Sequence, residues 1–195
     1  MRARLDRLRR DTRGATLIEF AIVAPVMLLL FMGFAEFAYE AYVKSVLTGA
    51  LQKAGRDSTI QGASTVAATI DARVMTQVKA AAPNATYTST RQSYAKFGYI
   101  SPEPFTDTNG NGVRNSGECF TDINSNGTWD ANPGVNGQGG ASDAVVYTMT
   151  ITVPRIFPVY SMLGSPKSAT LTESTVLKNQ PYASQATSTP PTVCT

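Results

Sequence analysis

Histidine is absent from the chain, cysteine occurs twice, and charged residues make up only 16% of the 195 residues, against about 25% in ordinary soluble domains. Each scarcity excludes something. Without histidine there is no Ser–His or Cys–His nucleophilic pair and no imidazole ligand for zinc. Two cysteines build neither a disulfide-dense scaffold nor a four-thiolate metal centre. No phosphate-binding loop and no paired carboxylates in a pocket-like pattern stand in their place. The residues argue for a protein without enzymatic activity, and the length allows about one domain.

The basic charge is concentrated at one end. Residues 1–14, MRARLDRLRRDTRG, hold six arginines against two acids, Asp6 and Asp11. The remaining chain holds 11 basic and 12 acidic residues. The formal charge of +3 and the pI of 8.9 therefore describe a leader and not a basic domain. A nucleic-acid surface needs basic residues spread over a face, so no nucleic-acid partner is expected.

The arginines precede a 21-residue apolar run, Ala15 to Ala35, whose only formal charge is Glu19. About 20 apolar residues in a helix cross the hydrocarbon core of a bilayer. Arginines before the run and none inside it satisfy the positive-inside rule. The N-terminus is expected to stay cytoplasmic and everything after about Phe37 to lie outside. The run is longer than the apolar region of a cleaved secretory signal, and its far end lacks a small-x-small cleavage site. Residues 15–37 thus read as a single-pass membrane anchor, with lipid as the first partner.

Glu19 needs a reason. A carboxylate near the bilayer centre costs roughly 2.5–3.5 kcal/mol, less near the interface. It sits either at headgroup depth or against a partner. The surrounding residues, Arg13-Gly14-Ala15-Thr16-Leu17-Ile18-Glu19-Phe20, resemble the processing site of type IV pilins and pseudopilins. That resemblance implies cleavage by a prepilin peptidase between Gly14 and Ala15, which removes the arginine leader. The new α-amino group, with a pKa near ~7.7–8.0, is a cation that can neutralise Glu19 within one chain or between neighbours. A pair between neighbours would set the axial register of packed helices.

Glu19-Phe20-Ala21, Pro25, the leucine-rich stretch, Gly33 and Glu36-Phe37 together resemble the TadE-like family, minor pseudopilins of the tight-adherence (Flp, type IVc) pilus. Thr175 to Tyr182 is similar to the closing strand of that family, whereas residues 98–143 show no resemblance. Ala15 stands where classical type IV and type II secretion pilins carry Phe, which favours the tight-adherence branch. The resemblance implies a minor pilin or assembly component in the bacterial inner membrane, with its head in the periplasm or carried into the extracellular pilus. Its partners would be the major pilin, other minor pilins, inner-membrane assembly proteins and prepilin peptidase. A type II secretion-like pseudopilin, or a membrane-anchored adhesin or binding module using residues 105–143, are the alternatives. Pro25 removes one helical hydrogen bond and marks a kink that neighbouring helices can accommodate.

After Glu36 the pattern turns amphipathic, and the helix is expected to continue to Gly55 or Asp57. A second amphipathic helix is expected over Thr65–Ala82, with Val66, Ile70, Val74 and Val78 on one face and Ser64 or Thr65 as its cap. Strands are expected over 85–99, 144–153 and 169–178. The fold class is α+β: a long N-terminal transmembrane helix continuing into a small pilin-like head, residues 38–182, with a second helix and a short antiparallel sheet. Residues 183–195 read as a flexible tail. Cys119 and Cys194, both in an oxidising compartment, are expected to pair and tie that tail to the central loop. Free thiols or intermolecular bonds are the other possibility.

Residues 105–143 are rich in Asn, Gly and Asp. Within them, Asp107 to Glu118 satisfies the full D-x-[DN]-x-[DN]-G-x5-E calcium template. Its ligands would be Asp107, Asn109, Asn111, the Val113 carbonyl and Glu118. A second run offers Asp122, Asn124, Asn126, Thr128 and Asp130, but Pro133 stands at its twelfth position, where Asp130 or Asp143 would have to substitute. Such runs also form hydrogen-bonded turns without metal. With few carboxylates per loop, Ca²⁺ would bind weakly and act as a structural support.

Overall fold

The computed structural model describes residues 14–58, 67–162, 164–181, 183 and 189–195. Helix α1, Ala15–Ser58, runs for 44 residues and contains Pro25. Its Ala, Leu and Met residues are strong helix formers, and the backbone stays helical on both sides of the proline. Helix α2 is Ala67–Ala81. The cap expected at Ser64 or Thr65, and Val66, lie outside the described residues. The chain divides into two compact units, one holding the helix up to Tyr42 together with Pro154–Ala169, the other Val43–Val153 and Thr170–Thr195.

In the second unit α1 buries Val43, Leu47, Ala50, Leu51 and Ala54, the three- and four-residue spacing of one helix face. Helix α2 contributes Ile70, Val74, Met75 and Val78. The strands are β1 Thr86–Tyr94, β2 Cys119–Thr121, β3 Val135–Asn136, β4 Ala144–Pro154, β5 Ser168–Lys178 and β6 Thr192–Cys194. Four of them form a sheet of order β3-β1-β4-β5. Strands β1 and β4 pair antiparallel from Thr86 opposite Thr152 to Tyr94 opposite Ala144. Strand β4 alternates: Val145, Tyr147, Met149, Ile151 and Val153 are buried. On the opposite face Thr86, Thr88 and Thr90 stand across from Thr152, Thr150 and Thr148, and Thr150 shares a 2.9 Å hydroxyl contact with Thr172 of β5. β-Branched hydroxyl residues suit a sheet face of which only one side is covered. Gly55 is where α1 meets β5, since a Cβ there would lie 2.6 Å from Leu177.

Strand β1 stops at Tyr94 and not at Tyr99 because its partner β4 begins opposite it at Ala144. Phe97–Tyr99 forms a 3-10 turn instead. A second difference lies at the C-terminus, where a flexible tail is expected. Thr192–Cys194 is a strand paired antiparallel with Cys119–Thr121, and the expected Cys119–Cys194 disulfide joins the two strands. The Gly117 and Asp122 N–H groups extend the ladder to the Thr195 and Pro191 carbonyls. Phe120, 1% exposed, faces Phe105 across a bridge, and Trp129 meets Phe105 edge-on. The central loop thus has a small core of its own.

A buried ion pair ties α2 to the sheet. Asp71 accepts from Arg91 at 2.5 Å, from Ser89 at 2.6 Å and from the Tyr147 hydroxyl, and the Arg91 guanidinium lies over the Tyr147 ring. Burial alone would raise the Asp71 carboxyl, but the hydrogen bonds from Arg91, Ser89 and Tyr147 and the Arg91 charge hold it below the ordinary value. Burial and the adjacent carboxylate push the Tyr147 phenol up.

Asp71→Ala leaves Arg91 buried without its counter-ion and costs about 3–5 kcal/mol in guanidinium unfolding of the full chain in detergent. Because the folded carboxyl titrates below the unfolded one, its stabilisation is complete above about pH 4 and declines as pH falls through the depressed value; Asp71→Asn flattens that acid limb. Cys194→Ser, measured the same way, costs about 2–5 kcal/mol.

Candidate functional site

Gly14 precedes α1 as an exposed residue, and Ala15 is the first residue of the helix. The arginine leader up to Arg13 lies outside the described residues. Glu19 lies one turn into α1 on an exposed position, and no described residue pairs with its side chain. Around it Leu17, Ile18, Phe20, Ile22 and Val23 are all exposed, as is Pro25. The most apolar window of the helix is unburied throughout. An apolar helix so exposed requires lipid or other helices around it, and its length and composition are those of a helix that can cross a membrane, which suggests a membrane anchor.

The second cluster is the central loop. In the first template, Asp107 Oδ2 accepts the Gly112 N–H at 2.7 Å and Oδ1 accepts Gly110 and Asn111. The Asn109 and Asn111 amide oxygens accept the Asn111 and Val113 N–H groups. The Glu118 carboxylate closes the loop, with Oε1 accepting Thr108 at 2.9 Å and Oε2 accepting Asn115 at 2.8 Å. Gly110 and Gly112 both take positive φ. The Val113 carbonyl accepts the Asn115 side-chain amide. The bonds from Gly112, and then from its neighbours, hold the Asp107 carboxyl below its ordinary range; those from Asn115 and Thr108 do the same for Glu118.

The second loop repeats most of the first loop's main-chain bonds. Asp122 accepts Gly127 at 2.7 Å through Oδ2 and Asn126 at 3.1 Å through Oδ1. The Asn124 and Asn126 oxygens accept the Asn126 and Thr128 N–H groups. Ser125 and Gly127 take the positive φ angles of Gly110 and Gly112. Where Glu118 closes the first loop, Glu103 closes the second: its Oε1 accepts Ile123 at 2.7 Å and its Oε2 accepts Asp130 at 2.9 Å. Ile123 and Asp130 are the second and ninth loop positions, as Thr108 and Asn115 are in the first. The Glu103 main chain is held as well, its N–H by the Asp130 carbonyl and its carbonyl by the Trp129 indole.

Asp130 therefore does not stand in for the missing twelfth residue. Its carboxylate accepts the Asn124 and Asn126 amides instead. Asp143 accepts Gly140 in a separate turn. Glu103, Glu118 and Asp122 are 1%, 5% and 2% exposed, and no described basic side chain forms an ion pair with them. No three Asp, Glu, Cys or His side chains gather as a metal cluster among the described residues; each loop offers carboxylates mixed with amide oxygens.

No curated protein and no solved structure matches the chain. One family model does, over residues 14–56, and its description is TadE-like protein. The matched stretch begins at the expected cleavage glycine, takes in the whole exposed apolar run and ends within α1. Through this helix the chain is similar to the TadE-like family, as the Gly14–Phe37 residues themselves suggest, and a TadE-like segment on an apolar anchor points to a Tad pilus-associated protein.

Proposed function

We propose that the chain is a minor pilin, pseudopilin or assembly component of a tight-adherence (Flp, type IVc) pilus, processed by prepilin peptidase after Gly14 and held in the bacterial inner membrane by α1. The coincidence of the TadE-like match with the bare apolar helix carries this reading. Its partners are the major pilin, other minor pilins and the inner-membrane assembly proteins, which α1 meets as one helix among others. The Ala15 amine created by cleavage is a cation for Glu19, which pairs with none of the described residues. N-terminal sequencing after expression with prepilin peptidase is expected to begin at Ala15; an intact Met1 both with and without the peptidase overturns the processing claim. Glu19→Ala is expected to abolish or sharply reduce piliation while the protein still reaches the membrane, and normal piliation would remove the carboxylate from the assembly step.

A structural Ca²⁺ in each central loop is a second part of the reading. It is favoured by buried carboxylates without counter-ions and by the placing of Glu103, which supplies the second loop with the twelfth-position acid that its own sequence lacks. Binding at the ~10⁻⁴–10⁻³ M level suits so few carboxylates. Terbium added to the full chain in detergent is expected to luminesce through Trp129, in the second loop, and to be displaced by Ca²⁺. Glu103→Gln should abolish that signal and reduce the calorimetric stoichiometry from two ions to one. Glu118→Gln should lose the other ion and keep the luminescence. Absence of both heat and luminescence overturns calcium binding.

A further inference from the structure

The β4–β5 connection is an apolar finger between two cations. From Arg155 to Lys167 the sequence reads RIFPVYSMLGSPK, with no charge between its ends. A short helical turn, α3 Val159–Met162, forms its tip. Ile156 is 56% exposed and Met162 68%, an unusual display for a loop that must be soluble.

The finger belongs to the same compact unit as the anchor end of α1. Glu36, buried, accepts the Ile156 and Phe157 N–H groups at 3.2 and 3.0 Å through Oε2. Arg155 bonds Glu40 at 2.5 Å and lies 3.9 Å from Glu36 Oε1. Its Nε donates to the Pro166 carbonyl and its N–H to the Lys167 carbonyl, which closes the base of the finger. Within it, Ser161 donates to Pro158 and Ser165 to Tyr160. These bonds satisfy five of the finger's main-chain N–H groups, those of Arg155, Ile156, Phe157, Ser161 and Ser165, and a bilayer favours such closure in non-helical backbone. Val159 and Met162 then line an apolar groove of about 590 Å³ with Val26, Leu29, Leu30 and Phe34. Those helix residues lie inside the membrane-spanning run.

We propose that the Arg155–Lys167 finger is a second membrane-embedded element. It dips into the leaflet at the Phe37 end of the span, with lipid acyl chains in the groove and Arg155 and Lys167 at headgroup level. This rests on the reading of α1 as a membrane anchor. Three features name lipid as the occupant: the groove is continuous with the lipid-facing helix, the finger has no interior charge, and Lys167 at its base suits anionic headgroups while Arg155 is neutralised by Glu40 and Glu36. The chain is then held at two points, and leaving the bilayer requires the finger to leave with the helix.

Photocrosslinking tests this. The full chain, with benzoylphenylalanine substituted for Met162, Ile156, Phe34 or Val113 in turn, is reconstituted in vesicles of phosphatidylcholine and phosphatidylglycerol and irradiated. The Cys119–Cys194 bond on a non-reducing gel reports an intact head. Phospholipid adducts are expected by mass at Met162, Ile156 and Phe34, and none at Val113 in the first central loop. Adducts at Phe34 alone overturn the finger proposal while leaving the anchor intact. Chain-to-chain products replacing lipid at Met162 overturn it in favour of a second copy. Absence of lipid at Phe34 as well overturns the anchor reading and the finger with it.

Discussion

One constraint governs the chain: a single helix must satisfy two solvents. Up to Ala35 the side chains of α1 are apolar and largely exposed on every face, and from Val43 only one stripe is buried. An all-round apolar helix gains nothing from water and everything from hydrocarbon, whereas a stripe gains from one packed surface. The change of pattern falls at Glu36 and Glu40, the first formally charged residues after Glu19. Both are used there, since Arg155 returns from the end of β4 to meet them. The position of the head's first buried residue, Val43, is thus fixed by where the lipid-compatible sequence stops.

The head has little apolar mass to spend on stability. Its main core comes from the stripe of α1, one face of α2 and the inward side chains of β4. Outside that core, residues 103–143 have Phe105, Phe120 and Trp129 around which to fold. Polar closure does the rest. A carboxylate accepting two main-chain N–H groups fixes each DxNxNG loop, and the disulfide with its two-strand ladder fixes the C-terminus to the same region. Small domains short of hydrophobic core commonly need such staples. The Asp71–Arg91 pair serves α2 likewise. It adds little net energy over an apolar contact, yet it admits only one register of helix on sheet.

Much of this was legible in the sequence because it is periodic. The stripes of α1 and α2, the alternation of β4 and the pairing of two cysteines are local patterns or counts. The illegible parts are those in which the partner is remote. Strand β1 ends at Tyr94 because β4 has no residue to place opposite Ala95, and nothing between Ala95 and Tyr99 announces that. Strand β6 sits in a Ser/Thr/Pro-rich segment and exists because Cys119–Thr121 is there to pair with it. Asp71 looks like one more polar residue beside Ile70, and its partners are 20 and 76 residues away. Glu103 is the clearest case. A twelve-residue template inspects only its own window, and the acid that completes the second loop precedes the first one. The single available clue was a glutamate between Pro102 and Pro104, a rigid segment that holds a side chain at low entropic cost.

The chain's sequestered carboxylates obey one rule with different solutions. Asp71 is neutralised by a guanidinium. Glu36 is shared between main-chain donors and Arg155. Glu103 and Glu118 rely on main-chain N–H groups, which carry partial charge only and leave room for a cation. Glu19 differs from all of these. It lies in the most apolar part of the sequence, and the described residues give it no partner of any kind. A carboxylate placed in hydrocarbon would need one. A compensating charge can come from a group on a neighbouring helix, or from the amine that cutting the peptide bond after Gly14 would create. The second source has a consequence that the first lacks: it makes stable packing conditional on processing. An uncut chain would then carry six arginines before the apolar run and an acid within it. A cut chain would carry one cation and one anion four residues apart, free to pair across two helices and to set their stagger.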